Sequence, residues 1–462
     1  MPVPYPSYTP SGLSWAPQIP EGWQVQRNGR LFSHRVETGY PDLPILEVSL
    51  RTGVRVRDMV NGKRKQVMSA KEKYKRAVKG DIAYNMMRMW QGAVGPAPAD
   101  GLVSPAYVVV KPHAGVNSAY FSYLFRTAAY MQEVNKYSRG IVADRNRLYW
   151  ESFKQMPSLV PPPGDQNQIV AYLRTYELRS THLIRHKREL IRLLSELVAS
   201  IVDRAVRYGV GAQPNLKKSQ IDWLGDVPEH WVICRADQVL TPVRKQVKMA
   251  SLAGQDVFHY SIPVLSKTGD GRAESSTAID SDKLLISGGE LLVSKLNPHK
   301  GYVHLSREHP LPIVCSSELV PLMPKKCLPE FAKFVYQCRT VREYLQANAR
   351  SATRSHSRVD PALISKMVWA WPDIEEQRSI VEYIQNENAP LLNAIEQAKD
   401  EIRLVRELCD GQIARVVTGQ FDVRTWQPDP EDPITEEDLT ALGDDDDNDT
   451  TEEETDGDDG HD

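Results

Sequence analysis

The chain writes one phrase twice. Ser11, Trp15, Pro20, Glu21 and Trp23 return 208 residues later as Ser219, Trp223, Pro228, Glu229 and Trp231, with every internal spacing kept. Further echoes lie at an offset of 209, where Gly80-Asp81-Ile82 answers to Gly289-Glu290-Leu291 and Gln168 answers to Gln377. Such a chain reads as two large units of one plan, each a globular part followed by a long helix. A duplication of this kind suits a target with two comparable halves.

Proline marks the same joint in both copies, at Pro161-Pro162-Pro163-Gly164 and at Trp371-Pro372-Asp373, because it continues neither a helix nor a central strand. The expected order is an extended arm (1–20), a first globular unit (21–157), a first helix (165–209), a linker (210–226), a second globular unit (227–372), a second helix (374–419) and a tail (427–462). Short apolar runs such as Tyr107 to Val110, Leu284 to Ile286 and Leu291 to Val293 read as strands. Segments 118–134 and 329–347 read as amphipathic helices. The fold class is therefore mixed α/β (α+β) with a pseudo-two-fold internal repeat.

In the first helical segment Tyr176, Leu183, Leu190 and Leu197 recur every seven residues, with Leu194 and Ile201 alongside. In the second, Ile384, Leu391, Ala398 and Val405 do the same, with Ile395 and Ile402. Stripes of this period are packing faces. Two in one chain pair most simply with each other, antiparallel, since each is reached through a globular unit. Pro390 is expected to break the second segment near 387. A paired stretch of about 29 residues would be roughly 43 Å long, the length of about 12 to 13 base pairs.

The formal charge of -3 conceals a strong asymmetry. Residues 427–462 hold 18 Asp or Glu and no Lys or Arg, which leaves 57 basic against 42 acidic residues in the body. That is the balance of a polyanion binder. The tail has too little apolar surface to fold; it either solubilises the basic body or competes with nucleic acid for it. Eleven basic residues between Arg51 and Lys79 face only Asp58 and Glu72, with Tyr40, Tyr74 and Tyr84 interleaved. The second unit carries Arg244, Lys245, Lys248, Lys295, His299, Lys300, Arg350, Arg354, His356 and Arg358, and Arg354 follows Arg145 by 209 residues.

Catalytic signatures are missing. No Asn-Pro-Pro-Tyr or Asp-Pro-Pro-Tyr run, glycine-rich phosphate loop ending in Lys-Ser or Lys-Thr, or His-Glu-x-x-His helix is present. His182 and His186 are one helical turn apart with no evident third ligand. No stretch approaches the roughly 20 apolar residues of a membrane span. The opening residues lack the order of a secretory signal, and five unpaired cysteines suit a reducing cytoplasm.

The phrase Ile221-Asp222-Trp223-Leu224-Gly225-Asp226-Val227-Pro228-Glu229-His230-Trp231 resembles the opening of a target-recognition domain in the specificity subunit of type I restriction-modification systems. Gly289 to Leu292, Glu376-Gln377 and Val416-Val417-Thr418-Gly419 extend the resemblance over roughly residues 11 to 425. The first copy departs from it at Ala16-Pro17-Gln18 and Asp165 to Gln168, and the acidic tail has no place in the family pattern. The resemblance implies two target-recognition domains separated by an antiparallel coiled-coil pair, each reading half of a split site in double-stranded DNA. It implies no catalysis and no cofactor in this chain. S-adenosylmethionine belongs to the methyltransferase subunits, expected as two, and a motor-nuclease subunit joins for restriction. The basic residues expected to hold its phosphates, read from their clustering and from the repeat, are Arg51, Arg55, Lys63, Arg64, Lys65, Lys73, Arg76 and Arg145 in the first unit, and Lys295, Lys300, Arg350, Arg354 and Arg358 in the second. The rival readings are a coiled-coil adaptor for RNA or an acidic partner, and a nuclease or methyltransferase in one chain.

Overall fold

Each copy of the tryptophan phrase folds as a short antiparallel hairpin. Tyr8–Leu13 pairs with Ala16–Pro20 in the first, and Leu216–Lys218 with Asp226–Pro228 in the second. Ser11 Oγ accepts from the Leu13 amide at 2.9 Å and Ser219 Oγ from the Ile221 amide at 3.1 Å, so both serines hold the same local turn. These contacts come from a computed structural model that describes residues 3–50, 53–57, 71–140, 146–211, 214–353 and 356–428, without the side chains of 351–353 and 356. Arg51, Lys63, Arg64, Lys65, Arg145, Arg354 and the acidic tail beyond Pro428 lie outside the described residues.

Two units result. One comprises Met1–Arg188 with Lys399–Asp462, the other Glu189–Ala398. Both boundaries fall inside the long helices. The segments expected as an extended arm and a linker carry the two hairpins. Tyr5, Ala16 and Ile19 are buried in the first unit's core beside Trp23, Val416 and Val417. Leu224 and Val227 are buried in the second unit's core beside Trp231.

The same four-stranded antiparallel sheet recurs. Its order in the first unit is Phe32–Arg35, Tyr107–Pro112, Ile82–Asn85, Val94–Pro96. In the second it is Leu240–Pro242, Leu319–Pro324, Leu291–Ser294, Val303–Leu305. The glycine-carboxylate echo belongs to this sheet. Asp81 Oδ2 accepts from the Val78 amide at 2.9 Å, and Glu290 accepts from the Ser287 and Gly288 amides at 2.7 and 2.8 Å. Both carboxylates are buried and pin the turn that launches a core strand; their role is structural. The second unit adds a five-stranded sheet that includes one parallel pair, Asp256–Tyr260 with Ile313–Cys315.

The long helices are Pro163–Tyr208 and Ile374–Val417. The first opens on proline, whose missing amide costs nothing there, and ends at Gly209 with φ 76°. The second is capped by Asp373, which accepts from the Glu376 amide at 2.8 Å, and ends at Gly419 with φ 75°. In the first unit Gln412 Nε2 donates to the Tyr172 hydroxyl at 2.7 Å and Lys187 meets Glu401 at 2.5 Å. In the second, Val202, Ala205 and Val206 share a core with Ile380, Val381 and Ile384. In the first unit the pairing is antiparallel, since contacts advance from 172 to 187 on one helix as they fall from 412 to 401 on the other.

Two expectations for these helices are corrected. Pro390 does not break the second, which runs through it. A helical proline costs about 3 kcal/mol, and here the turns before it bury Ile380, Val381 and Ile384 while those after it bury Ile395 and Ala398. The apolar stripe on both sides outweighs one lost backbone bond. On the first helix the inward line lies one residue beyond the predicted one. Leu183, Leu190 and Leu197 are 44%, 41% and 47% exposed, whereas Ile184, Ile191 and Val198 are half-buried. A shift of one residue turns the face by about 100°, and adjacent leucine and isoleucine lines made the sequence ambiguous between them. Tyr176, Leu194 and Ile201 are half-buried, as are Leu391, Ile402 and Val405 on the second helix.

All five cysteines are free. Burial pushes the thiols of Cys315, Cys327, Cys338 and Cys409 up to about 12 and raises that of Cys234. Since the thiolate is the reactive form, iodoacetamide at about pH 8 is expected to modify the native chain slowly, at the half-buried Cys234 and Cys409. Cys315, Cys327 and Cys338 should react only after denaturation. Peptide mass spectrometry reads this; fast labelling of Cys315 in native protein contradicts the packing. No helix among the described residues is long and apolar enough to cross a membrane.

Candidate nucleic-acid interface

Much of the described part of the first unit's basic run is committed to carboxylates elsewhere in the unit. Arg55 Nε meets Glu47 at 2.6 Å. Arg76 bridges Glu37 at 3.2 Å and Asp100 at 3.0 Å, with its guanidinium 4.8 Å from the centre of the Tyr40 ring. Lys75 donates to the Tyr107 carbonyl at 2.7 Å, and burial lowers the pKa of its ammonium. Lys73 is exposed. The sequence presented these as one unpaired cluster because Glu37, Glu47 and Asp100 lie outside the run.

In the second unit the basic residues converge. Strands Arg350–Thr353 and His356–Arg358 form a ribbon in which Arg350 stands directly opposite Arg358. Arg358 Nη2 meets Glu318 at 3.0 Å. The ribbon is tied down at its base: the Val359 amide donates to the Lys295 carbonyl at 3.0 Å and the Asn297 amide to the Ser357 carbonyl at 2.9 Å. Asn297 sits at φ 48°, a conformation its short polar side chain tolerates, and its Oδ1 accepts from the Ser357 amide at 3.2 Å. Next to it, Pro298–Lys300 forms a single turn with Lys300 exposed. Arg342 donates to the His299 carbonyl at 3.3 Å. The structure thus gathers Lys295, Lys300, Arg350 and Arg358, and adds Arg342 and Asn297, which sequence reasoning did not single out.

The first unit repeats the arrangement at an offset of 211, which the sequence search missed. Arg139 and Arg147 stand opposite each other and exchange both backbone hydrogen bonds at 3.0 Å. They correspond to Arg350 and Arg358. The Leu148 amide donates to the Met86 carbonyl at 2.9 Å, as Val359 does to Lys295. The predicted match between Arg145 and Arg354 falls outside the described residues. The offset drifts from 208 at Trp23 to 211 at Arg139 because the second unit's loops are longer. Neighbouring His34 and Trp150 stack with ring centres 5.4 Å apart, and burial lowers the pKa of His34, which is therefore neutral at pH 7. No cluster of three or more His, Cys, Asp or Glu suited to a metal occurs among the described residues.

No protein-family model matches the chain, and no curated protein matches it in sequence. Solved structures do match. A chain from work on complex assembly and conformational transition of the type I R-M system superposes with a TM-score of 0.62 at 15% identity, covering 87% of this chain and 99% of that one. The fold is that of a type I R-M chain. The HsdS subunit from Thermoanaerobacter tengcongensis (16% identity, 87% and 98% coverage, TM-score 0.44) and the type I restriction-modification S subunit from M. genitalium (10%, 87% and 96%, 0.32) were also found.

Proposed function

We propose that this chain is the specificity subunit of a type I restriction-modification system, a non-catalytic reader of double-stranded DNA. The observation that carries the reading is the duplicated unit. One sheet order occurs twice in a chain with a type I R-M fold, and each copy presents a directly opposed arginine pair. Each unit then reads half of a bipartite site, with loops and ribbon at the groove and the basic residues on phosphates. The chain works in the cytoplasm with two methyltransferase subunits, which hold S-adenosylmethionine, and with a motor-nuclease subunit. Leu190, Leu193 and Leu197 on the first helix and Leu392 on the second are exposed in the second unit and suit helices of the methyltransferase.

The test is the methylation pattern. Co-expressed with its methyltransferase in a host lacking adenine methylation, the chain should direct methylation to one motif made of two half-sites around a fixed gap. Truncation within either unit should abolish it. Methylation independent of this chain, or a contiguous motif, refutes the reading; selective capture of RNA would favour the adaptor instead.

A further inference from the structure

We infer that Arg139 with Arg147, and Arg350 with Arg358, are two copies of one phosphate clamp, and that Glu318 occupies the second clamp when no nucleic acid is bound. The clamp reading rests on the proposed DNA binding, which it deepens by naming the atoms that hold the backbone.

The argument begins with strand geometry. Residues that exchange both backbone bonds across an antiparallel pair, as Arg139 and Arg147 do, have Cα atoms about 5.5 Å apart and side chains on one face. Like charges in that position repel and destabilise the pair. A chain that places arginine opposite arginine at the same register of both units carries that cost twice. A bound anion turns it into binding energy, because two guanidinium forks converging on one tetrahedral phosphate supply parallel N–H donors matched to its oxygens. Arg139 and Arg147 are exposed, and so is Arg350.

One of the differences between the two copies is informative. The Met86 amide donates to the Ala106 carbonyl at 3.3 Å; at the corresponding place the Lys295 amide donates to the Glu318 carbonyl at 2.9 Å. The backbone bond is conserved between units, while the side chain changes from methyl to carboxylate. Glu318 uses that place to reach Arg358. It is an intramolecular anion standing where a phosphate oxygen would, so the second clamp must exchange a carboxylate for a phosphate, whereas among the described residues no carboxylate pairs with the first.

The experiment uses the full chain and a mixed-sequence duplex titrated over a range of NaCl concentrations. Glutamine replaces the arginines so that aliphatic packing and hydrogen bonding persist. R139Q/R147Q and R350Q/R358Q should each weaken binding and reduce the slope of log affinity against log salt by about 0.9, the loss of one neutralised phosphate. E318Q should tighten binding. R139Q/R147Q should not melt below the parent, since a repulsion has been removed; in R350Q/R358Q the lost ion pair between Arg358 and Glu318 offsets that gain. A second arm uses inorganic phosphate alone. It should raise the parent's melting temperature, and the four-fold variant should lose that response.

A parent slope retained by both double variants overturns the clamp, as does a phosphate response that survives all four changes. Unchanged or weaker binding by E318Q overturns the competing role of Glu318. A parent that binds no duplex yet shows phosphate stabilisation lost in the four-fold variant would remove the DNA reading and leave the anion site standing.

Discussion

Replacing Trp231 with alanine is expected to destabilise the second unit by about 3–5 kcal/mol, the range for emptying a fully buried large aromatic site. Trp231 is 1% exposed and shares its core with Val202, Ala205, Val206, Ile380 and Ile384, so the void would lie where both long helices meet the sheet. Its indole Nε1 donates to Glu376 Oε2 at 3.0 Å, and His230 Nε2 lies 2.9 Å from the same oxygen. Loss of that bond adds little, because Glu376 is partly exposed and water replaces the donor. The cavity therefore dominates, and Trp231→Phe should recover part of the loss. Trp23→Ala should act in the first unit, where the ring meets Tyr5 and Tyr120 edge-on at 5.8 and 6.5 Å. Urea unfolding followed by far-UV circular dichroism measures both. A change below about 1 kcal/mol for Trp231→Ala would mean that the tryptophan phrase does not anchor the repeat.

The duplication was legible because its markers are tryptophan, proline and glycine, whose shapes tolerate few substitutes. Trp23 and Trp231 fill cores, and Pro161 and Pro372 stand at the same joint before a long helix. Charge was read less well. A run such as 51–79 looks unpaired in sequence because carboxylates reach it across strands, as Glu37 and Asp100 reach Arg76. The arginine pairs were hidden for a different reason. Arg139 and Arg350 match only at an offset of 211, beyond the 208 and 209 of the tryptophan and glycine echoes, because the loops between them are longer in the second unit. The helix faces show a third limit: Leu183 and Ile184 lie on adjacent lines with the same period, and only the partner helix decides which is buried.

The same drift makes a prediction about glutamines. The sequence echo pairs Gln168 with Gln377, but the contacts pair Gln166 with Gln377. Gln377 Nε2 donates to the Pro372 carbonyl at 2.9 Å while its Oε1 accepts from the Leu328 amide at 2.8 Å. Gln166 makes the same two bonds, to the Pro161 carbonyl at 2.9 Å and from the Asn117 amide at 2.8 Å. Both side chains are buried, and each ties the start of a long helix to the segment entering Ser118–Phe125 or Pro329–Gln337. Alanine at either position strands a buried donor and a buried acceptor. At about 1–3 kcal/mol for each unpaired group, Gln377→Ala and Gln166→Ala should each cost about 2–5 kcal/mol. Gln168 is half-buried and donates to the Trp426 and Val423 carbonyls near the end of the described chain; its alanine variant should cost about 1 kcal/mol. Glutamate at 377 is the sharper probe, since a carboxylate still accepts from Leu328 but has no proton for Pro372 at neutral pH, and sets a buried charge against a carbonyl. Gln377→Glu should therefore be less stable than Gln377→Ala above about pH 6 and recover as acid protonates it. Equal losses at 166 and 377 with a small loss at 168 fix the register of the repeat at 211; a large loss at 168 with none at 166 would return it to 209 and separate the two arginine pairs.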